Sequence, residues 1–394
     1  MSEQGTKAGE PHLLAGQGGA PGSALAFPDC VPTLVDTERG VTLRAHDAGD
    51  LQSIVEQVND PVSRQWTSVP PEIGDYSLAD ARRFLFQVVP DGWATRRSLR
   101  WAIEAQIDGT PRFCGSIDLW LGADQEARVG FGLHPAARGR SVMSSALRMV
   151  RDHAFDDLGM EVIRWRSPVG NWPSRRVAAA AGFRFDGTVR DLLVRRRRRI
   201  DGWLATLNAN DPRAPLRWLE IPVLSAGSCR LRPFAERDLD RIVEATNDPR
   251  TQYWLASLPY PYGVEDAEAY LGATRELSAS RSGIIWCVAD PVEDRCLGAV
   301  SLEGFGGYSR RVEIGYWTHP AARGRGLMTT AVRAVTRYAE DNDLVDSVLI
   351  RCAAGNSASR QVAESAGYRA IGVQPRCEPL GDGSLSDLVL YARP

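Results

Sequence analysis

The sequence predicts an α/β (α+β) protein of two tandem domains, each with a mixed, mostly antiparallel sheet flanked by helices. Three observations predict this fold class. The chain has 394 residues, 43% of them hydrophobic and 24% charged, which is long and apolar enough for two cores. It repeats itself once, since HPAARGR occurs from His134 and again from His319, an offset of 319 − 134 = 185. Each copy also alternates short apolar strands with amphipathic helices.

Further matched segments occur in the same order in both copies. Asn59-Asp60-Pro61 returns as Asn247-Asp248-Pro249, and GNWPSRRVAAAAGF from Gly170 returns as GNSASRQVAESAGY from Gly355. Several ordered matches indicate a duplication. We therefore expect a disordered Gly-, Ala- and Pro-rich leader (1–30), an N-terminal domain (31–207), a linker (208–222) and a C-terminal domain (223–394).

The elements of each copy follow from their hydrophobic period. A short strand and an amphipathic helix come first, then three central strands, a glycine-bearing loop that opens a second helix, a further strand, a short helix and a closing hairpin. The predicted central strands are Trp101–Gln106, Phe113–Leu121 and Arg128–Leu133 in the first copy, and Ile284–Ala289, Cys296–Leu302 and Val312–Thr318 in the second. Asp201-Gly202 and Asp382-Gly383 are the predicted hairpin turns.

Composition excludes several classes of protein. The formal net charge is −2, which favours neither nucleic acid nor an anionic membrane as a partner. The seven cysteines lack zinc-ligand or redox spacing, so we expect reduced thiols, no metal and a cytoplasmic location. No apolar run approaches the length of a membrane span, and no signal peptide is evident.

The loop of the second copy is suited to a pyrophosphate. The strand VEIGYWTHP leads into AARGRG and then into the helix LMTTAVRAV, which brings free backbone N–H groups and the positive helix end to one point. Gly324 and Gly326 let an anion approach the backbone, and Arg323 and Arg325 add positive charge. The alternative for this motif alone is an ordinary surface turn with incidental arginines.

HPAARGRGLMTTAV, followed by IRCAAGNSASRQVAESAGY, resembles the GNAT superfamily of acyl-CoA N-acetyltransferases. The resemblance covers nearly the whole chain after the leader, twice over, and is closest to the branch that acetylates the N-terminal alanine or serine of ribosomal proteins. It implies acetyl-CoA as co-substrate and an amine as acceptor. Ala321 departs from the Gln or Arg with which the family's pyrophosphate motif usually begins.

The resemblance also implies residue roles. The strand end should line the pantetheine arm and offer backbone N–H groups to the acetyl carbonyl, the loop should hold the pyrophosphate, and Asn356 should contact the cofactor near its thioester. Asn356 is equally suited to cap the helix SASRQVAES. Trp254 is a candidate acceptor contact. The implied cofactor-binding residues are Trp317, Thr318, His319, Arg323, Gly324, Arg325, Gly326, Leu327, Met328, Thr329 and Asn356.

Two side chains should carry the proton transfers. In the ribosomal N-terminal acetyltransferases, the Ser of Asn-x-x-Ser and a Glu nineteen residues later look like the acid and the base. They match Ser359 and Glu378 here, since 359 + 19 = 378. The first copy has Leu193 at the position of the base and Ser141 at that of the second loop glycine. We therefore expect a catalytically silent N-terminal domain and a catalytic C-terminal domain.

The sequence leaves alternatives for the function. The favoured acceptor is the α-amine of a protein or peptide, and the next is an amine-bearing antibiotic or other small metabolite. A tandem acyltransferase that uses aminoacyl-tRNA would need no R-G-x-G loop and would favour a basic groove. A non-catalytic acetyl-CoA-binding scaffold fits the first copy better than the second. Neither the oligomeric state nor the use of a longer acyl group follows from the sequence, although the tandem domains are suited to act as an internal pseudo-dimer.

Overall fold

The chain divides into two compact units, Met1–Leu216 and Arg217–Pro394. The computed structural model describes residues 27–67, 74–307 and 310–393. Of the predicted leader (1–30), residues 1–26 lie outside the described part. Within the described ranges, every helix is too short or too polar to cross a membrane.

The first unit is an open sheet with helices packed against it. Its strands are ordered β1-β2-β3-β4-β5-β6-β8-β7, and β5 and β6 are the parallel pair. The helix after the loop continues through a π-helical turn, His153–Asp157. The elements are β1 (Leu34–Asp36), β2 (Val41–Arg44), α1 (Leu51–Asn59), α2 (Pro61–Trp66), α3 (Leu78–Arg83), α4 (Val89–Ala94), β3 (Ser98–Ile107), β4 (Thr110–Leu121), β5 (Glu126–Leu133), α5 (Val142–Asp152), β6 (Val162–Pro168), α6 (Trp172–Ala180), β7 (Arg184–Arg195) and β8 (Arg198–Asn208).

The second unit repeats this topology. Its strands are ordered β16-β17-β15-β13-β12-β11-β10-β9, with β14 paired to β12, and β13 and β15 are the parallel pair. The elements are β9 (Leu224–Ala226), β10 (Cys229–Arg232), α7 (Leu239–Thr246), α8 (Pro249–Trp254), α9 (Val264–Ala279), β11 (Gly283–Ala289), β12 (Cys296–Glu303), β13 (Arg311–Ile314), β14 (Tyr316–Thr318), α10 (Leu327–Asp341), β15 (Ser347–Ala353), α11 (Ser357–Ser365), β16 (Arg369–Pro379) and β17 (Leu385–Ala392). The predicted mixed, mostly antiparallel sheets flanked by helices are confirmed.

An ion pair fixes the second strand of each unit to the start of its first helix. Arg232 on β10 donates to both carboxylate oxygens of Asp238, at 2.7 and 2.8 Å, and the two side chains are only 5% and 2% exposed. Arg44 binds Asp50 in the same way, at 3.0 and 2.8 Å. Each aspartate also accepts the backbone N–H three residues before it, so one buried carboxylate joins strand, turn and helix.

The predicted strand Val312–Thr318 is wrong in one respect, because it is two strands separated at Gly315. Ser301 on β12 explains the break. Its backbone N–H donates to the Gly315 oxygen at 2.8 Å, while its hydroxyl accepts the Gly315 N–H at 3.2 Å. A side chain thus takes the place of a backbone partner and interrupts the ladder.

The predicted hairpin turn at Asp201-Gly202 is also wrong, because both residues lie within β8. The turn is formed by Arg196 and Arg197, whose φ angles are +47° and +61°. Arginine is an unusual residue for this left-handed conformation, so no turn signal marks it in the sequence. The second predicted turn, Asp382-Gly383, lies between β16 and β17 as expected.

The buried ion pair yields a stability prediction. Replacing Asp238 with Ala removes the bidentate partner of the buried Arg232 guanidinium and leaves it with Asp294, whose Oδ1 lies 2.7 Å from Arg232 Nε, so we expect the free energy of unfolding of the second unit to fall by about 3 kcal/mol, the lower end of the range for breaking a buried pair. Asp346→Ala is the matched control. It breaks the pair of Asp346 with Arg310, whose side chains are 65% and 46% exposed, and should cost at most about 1 kcal/mol. Urea unfolding measures both variants, and equal losses of unfolding free energy would contradict the importance of the buried pair.

Candidate active site

The two parallel strands of the second unit separate at the predicted site. β13 pairs with β15 as far as Ile314 opposite Ile350. Beyond Gly315 the chain continues as β14 and pairs only with β12, whereas β15 continues to Ala353 and pairs only with β17. A gap therefore opens between β14 and the end of β15. The first unit has the same gap, because β5 pairs with β6 only as far as Val129.

The register of β14 determines which backbone groups point into this gap. Gly315 O and His319 N–H both bond to β12, at 2.8 and 2.9 Å. Because bonding alternates along an antiparallel ladder, Trp317 also bonds to β12, opposite Ala299, and Thr318 points the other way. Of the strand-end residues expected to offer a backbone N–H to an acetyl carbonyl, Trp317 therefore has its N–H bonded within the sheet, and Thr318 has the suitable orientation.

The loop that follows β14 has the geometry of an anion site. Gly324 and Gly326 have φ angles of +75° and +70°, and α10 begins directly after Gly326. Apart from the glycine itself and its chain neighbours, no heavy atom of the described structure lies within 4 Å of the Cβ that either glycine would carry, so the backbone is open to a ligand. Leu327 and Met328 are buried, and Thr329 is partly buried. Leu327 and Met328 can therefore contribute backbone N–H groups but not side chains.

The two loop arginines differ in their surroundings. Arg325 is exposed. Arg323 instead donates to Asp248 Oδ2 at 2.6 Å and to Thr251 Oγ1 at 2.8 Å. Asp248 also caps α8 through the Thr251 N–H. Arg323 thus fixes the loop to α8, and Arg325 is the arginine available for an anion.

This link explains why Asn-Asp-Pro occurs twice. Besides the capping role of Asp248, Asn247 exchanges two hydrogen bonds with the backbone of Tyr262, at 2.8 and 3.0 Å. Asn59 does the same with Tyr76, and Asp60 pairs with Arg138. The motif holds the helical segment beside the loop in both units.

His319 has a structural role at the start of the loop. Its side chain is fully buried, with Nδ1 accepting the Ala321 N–H at 3.2 Å and Nε2 lying 3.3 Å from Glu244. Burial lowers the pKa of His319, so the ring is neutral at pH 7. The His319 side chain is therefore not available for the predicted contact with a cofactor. Its backbone N–H is not available either, because it bonds to the Leu297 oxygen.

Ser359 belongs to a small polar cluster on one face of the sheet. Its hydroxyl donates to Cys352 Sγ at 3.1 Å and lies 3.0 Å from the hydroxyl of Tyr316. Asn356 accepts the Ser359 N–H at 3.1 Å and so caps α11, which was one of its two expected roles. Sequence reasoning missed Tyr316 and Cys352, although Phe131 at the place of Tyr316 in the first copy was a visible signal.

Glu378 lies on the face of the sheet opposite to the Ser359 cluster. It pairs with Ser386, which shares a face of β17 with Leu390, and Leu390 pairs with Arg351. Adjacent residues of a strand point to opposite faces, so Arg351 is directed away from the Ser359 cluster that Cys352 joins. Arg351 donates to Glu313 at 2.7 Å, and this bond, with a smaller contribution from Glu378, raises the pKa of the guanidinium. The two predicted proton-transfer groups therefore lie on opposite faces of the sheet.

A third carboxylate belongs to this charged face. Glu303 lies opposite Glu313 in the pairing of β12 with β13. Its carboxylate would be 3.8 Å from a Cβ on Gly315, where the strands begin to separate. We name Glu303, Glu313 and Glu378 the acidic face. Sequence reasoning identified only Glu378.

Trp254 lies beside the loop that carries Asn356. A Cβ on Gly355 would be 3.5 Å from the Trp254 ring, and the ring of Tyr253 packs edge-on against Trp254 at 4.7 Å. The hairpin turn reaches the same helix, since the Gly381 N–H donates to the Tyr253 oxygen at 2.8 Å. The structure therefore brings Trp254, the Asn356 loop and the turn that follows Glu378 together around α8.

The first unit differs at every position of the acidic face. By the strand registers, Trp120 replaces Glu303 and Arg128 replaces Glu313, while Leu193 replaces Glu378. The Trp120 ring lies 2.6 Å from where a Cβ on Gly130 would be, and Arg128 stacks on that ring at 4.5 Å. The space that acidic groups border in the second unit is filled by an aromatic ring in the first.

The loop of the first unit nevertheless keeps its backbone. Ser141 has φ +57° and ψ +11°, close to the +70° and +1° of Gly326. Serine adopts this left-handed geometry at a cost of about 1–2 kcal/mol, so Ser141 in place of a glycine does not by itself change the loop backbone.

Asp238, Cys287 and Cys296 form a group of potential metal ligands in the described residues, with ligand atoms within 4.8 Å of one another. Asp238 is already paired with Arg232, and the hydrogen bond with Cys296 and burial raise the pKa of the Cys287 thiol. Metal ligands must be deprotonated, so these features oppose metal binding.

The fold, the separated strands and the glycine loop define an acyltransferase. A family model described as "Acetyltransferase (GNAT) domain" matches residues 41–184 and 229–369. The chain belongs to the GNAT acetyltransferase family, with one domain in each unit, as the sequence predicted.

Relatives of this chain include acetyltransferases of ribosomal proteins. YdaF of Bacillus subtilis (strain 168), provisionally named a ribosomal N-acetyltransferase, is 30% identical over 166 residues, which are 41% of this chain and 88% of the relative. The ribosomal-protein-serine acetyltransferase of Escherichia coli (strain K12) is 30% identical over 26% of this chain and 56% of its own length. A ribosomal-protein-S5-alanine acetyltransferase structure from Vibrio fischeri is 17% identical over 44% of this chain and 96% of that chain, with a TM-score of 0.40.

A pair of glycine variants tests the geometry of the site. A Cβ at Gly298 would lie 2.4 Å from the Trp317 oxygen, so we expect Gly298→Ala to disrupt the pairing of β12 with β14 and to cost several kcal/mol of unfolding free energy. Gly326→Ala meets open space and should cost only about 1–2 kcal/mol, the strain of a left-handed alanine. Urea unfolding measures both, and a larger loss for Gly326→Ala would contradict the described register.

Proposed function

We propose that the C-terminal unit transfers the acetyl group of acetyl-CoA to the α-amine of a protein or peptide. The observation that carries this proposal is the placement of Ser359 and Glu378 on opposite faces of the sheet, beside a gap between two strands. An acyl donor that lies in such a gap can meet the amine on one face and release its thiol on the other. The ribosomal-protein acetyltransferases among the relatives support this class of acceptor.

The loop residues fit the pyrophosphate of the co-substrate. Gly324 and Gly326 leave the backbone N–H groups at the start of α10 accessible, and Arg325 is exposed beside them. Acetyl-CoA supplies an activated acyl thioester when bound. The Thr318 N–H is oriented to donate to the thioester carbonyl oxygen.

The acidic face would prepare the acceptor. An α-amine has an ordinary pKa of about 7.7–8.0, so it arrives mostly protonated at neutral pH. Carboxylates attract this cation, and Glu378 accepts one proton from it, directly or through a water molecule, and passes that proton to solvent. The neutral nitrogen then bonds to the acyl carbon as the carbon–sulfur bond breaks, and Glu378 accepts its second proton. Ser359 gives a proton to the departing thiolate and regains one from solvent, so that an amide and a free thiol result.

We also propose that the N-terminal unit is catalytically silent. Leu193 cannot accept a proton, Trp120 fills the space above Gly130, and Arg128 repels a cationic amine. These three changes affect the acceptor side, whereas the loop backbone of the first unit is intact. The proposed loss of activity is therefore a loss of the acceptor site.

Glu378→Gln tests the mechanism. A general base contributes about 100- to 10,000-fold to the rate, so we expect kcat to fall at least about 100-fold while acetyl-CoA binds as before. Glu340→Gln is the control, because Glu340 lies near the end of α10, about 20 Å along the helix from the loop. The assay is thiol release with a lysine-free peptide that begins with serine, with mass spectrometry of the peptide N-terminus.

Two results would contradict the proposal. A Glu378→Gln rate near that of the wild type would show that Glu378 is not the base. Acetylation of an aminoglycoside but not of the peptide would replace the α-amine with a small-molecule acceptor.

A further inference from the structure

Tyr316 is an unassigned side chain in contact with Ser359. It is the first residue of β14, directly after the break at Gly315. Its hydroxyl lies 2.9 Å from the Ser359 backbone oxygen and 3.0 Å from the Ser359 hydroxyl. One phenol thus joins the two elements on either side of the gap, β14 and α11.

The chemistry of these atoms limits the direction of the hydrogen bonds. A backbone oxygen only accepts, so Tyr316 donates its proton to it. The Ser359 hydroxyl donates to Cys352 Sγ at 3.1 Å. Burial raises the pKa of both the Tyr316 phenol and the Cys352 thiol, so both groups keep their protons at neutral pH.

The Tyr316 proton can therefore turn from one oxygen of Ser359 to the other without a movement of heavy atoms, because the two distances differ by only 0.1 Å (3.0 − 2.9). A serine oxygen that loses its proton gains negative charge and becomes a much stronger acceptor. A hydrogen bond to a charged oxygen is worth roughly twice one to a neutral oxygen. The phenol would thus stabilise Ser359 while it donates.

The first unit lacks this arrangement. Phe131 stands at the position of Tyr316, and Ser167 at that of Cys352. Ser174, the counterpart of Ser359, instead accepts the indole N–H of Trp165 at 3.1 Å. The unit that has lost Glu378 has therefore also lost the phenol, although it keeps the serine.

We propose that Tyr316 is a positioning residue for acyl transfer, which orients the Ser359 hydroxyl and stabilises its oxygen as the proton passes to the leaving thiolate. This inference rests on the proposed acid role of Ser359. It requires no contact between Tyr316 and either substrate.

A double-mutant cycle in the full chain tests the inference, with acetyl-CoA and the lysine-free serine peptide as probes. Tyr316→Phe introduces the residue of the first unit, so the fold should be retained. We expect kcat to fall about tenfold, with KM for acetyl-CoA within twofold of wild type. Ser359→Ala should retain roughly 1% of the rate, which can still be measured. In that background Tyr316→Phe should have no further effect, because it acts only through Ser359.

Tyr368→Phe is the matched control. Its hydroxyl also forms a buried hydrogen bond, at 2.7 Å to Thr336, away from Ser359, and its loss should leave kcat unchanged. If Tyr316→Phe slows the reaction equally with and without Ser359, or not at all, the positioning role is wrong and the proposed function stands. If Ser359→Ala keeps the wild-type rate, the acid role fails and this inference fails with it.

Discussion

The site depends on the end of one ladder of hydrogen bonds. β13 and β15 are paired in parallel up to Ile314 and Ile350, and the next residue, Gly315, is bonded on its other side by Ser301. Beyond this point each strand has a different neighbour. The backbone of Thr318 therefore faces a gap. In a continuous sheet, a neighbouring strand would fill this gap.

The two faces of the sheet carry different groups of the proposed site. Cys352 and Arg351 are adjacent on β15, so one side chain joins the Ser359 cluster and the other joins the acidic face. Groups on opposite faces can act on one molecule only where the sheet is open. The gap is thus the feature that would allow the proposed acid, Ser359, and the proposed base, Glu378, to serve a single acyl transfer.

Sequence reasoning predicted what depends on local pattern. The duplication, the order of strands and helices and the glycine loop follow from repeats, periods and spacing, whereas the Ser359–Glu378 pair follows from the resemblance to the ribosomal N-terminal acetyltransferases and stays a prediction. Several features depend on cross-strand contacts, which a single sequence does not contain. The break at Gly315 requires Ser301 on the neighbouring strand, and the turn at Arg196 and Arg197 is imposed by the pairing of β7 with β8. Comparison of the two copies position by position would have drawn attention to Tyr316 and Phe131.

Calorimetric titration of acetyl-CoA into three forms of the full chain, combined with the peptide assay, tests whether catalysis belongs to the C-terminal unit. The forms are wild type, Gly324→Glu, and Gly139→Glu as the matched change in the first unit. A glutamate in the loop places negative charge where a pyrophosphate would bind. We predict that Gly324→Glu removes a binding site and all peptide acetylation, whereas Gly139→Glu leaves acetylation intact. Acetylation lost with Gly139→Glu and kept with Gly324→Glu would contradict the assignment of catalysis to the C-terminal unit.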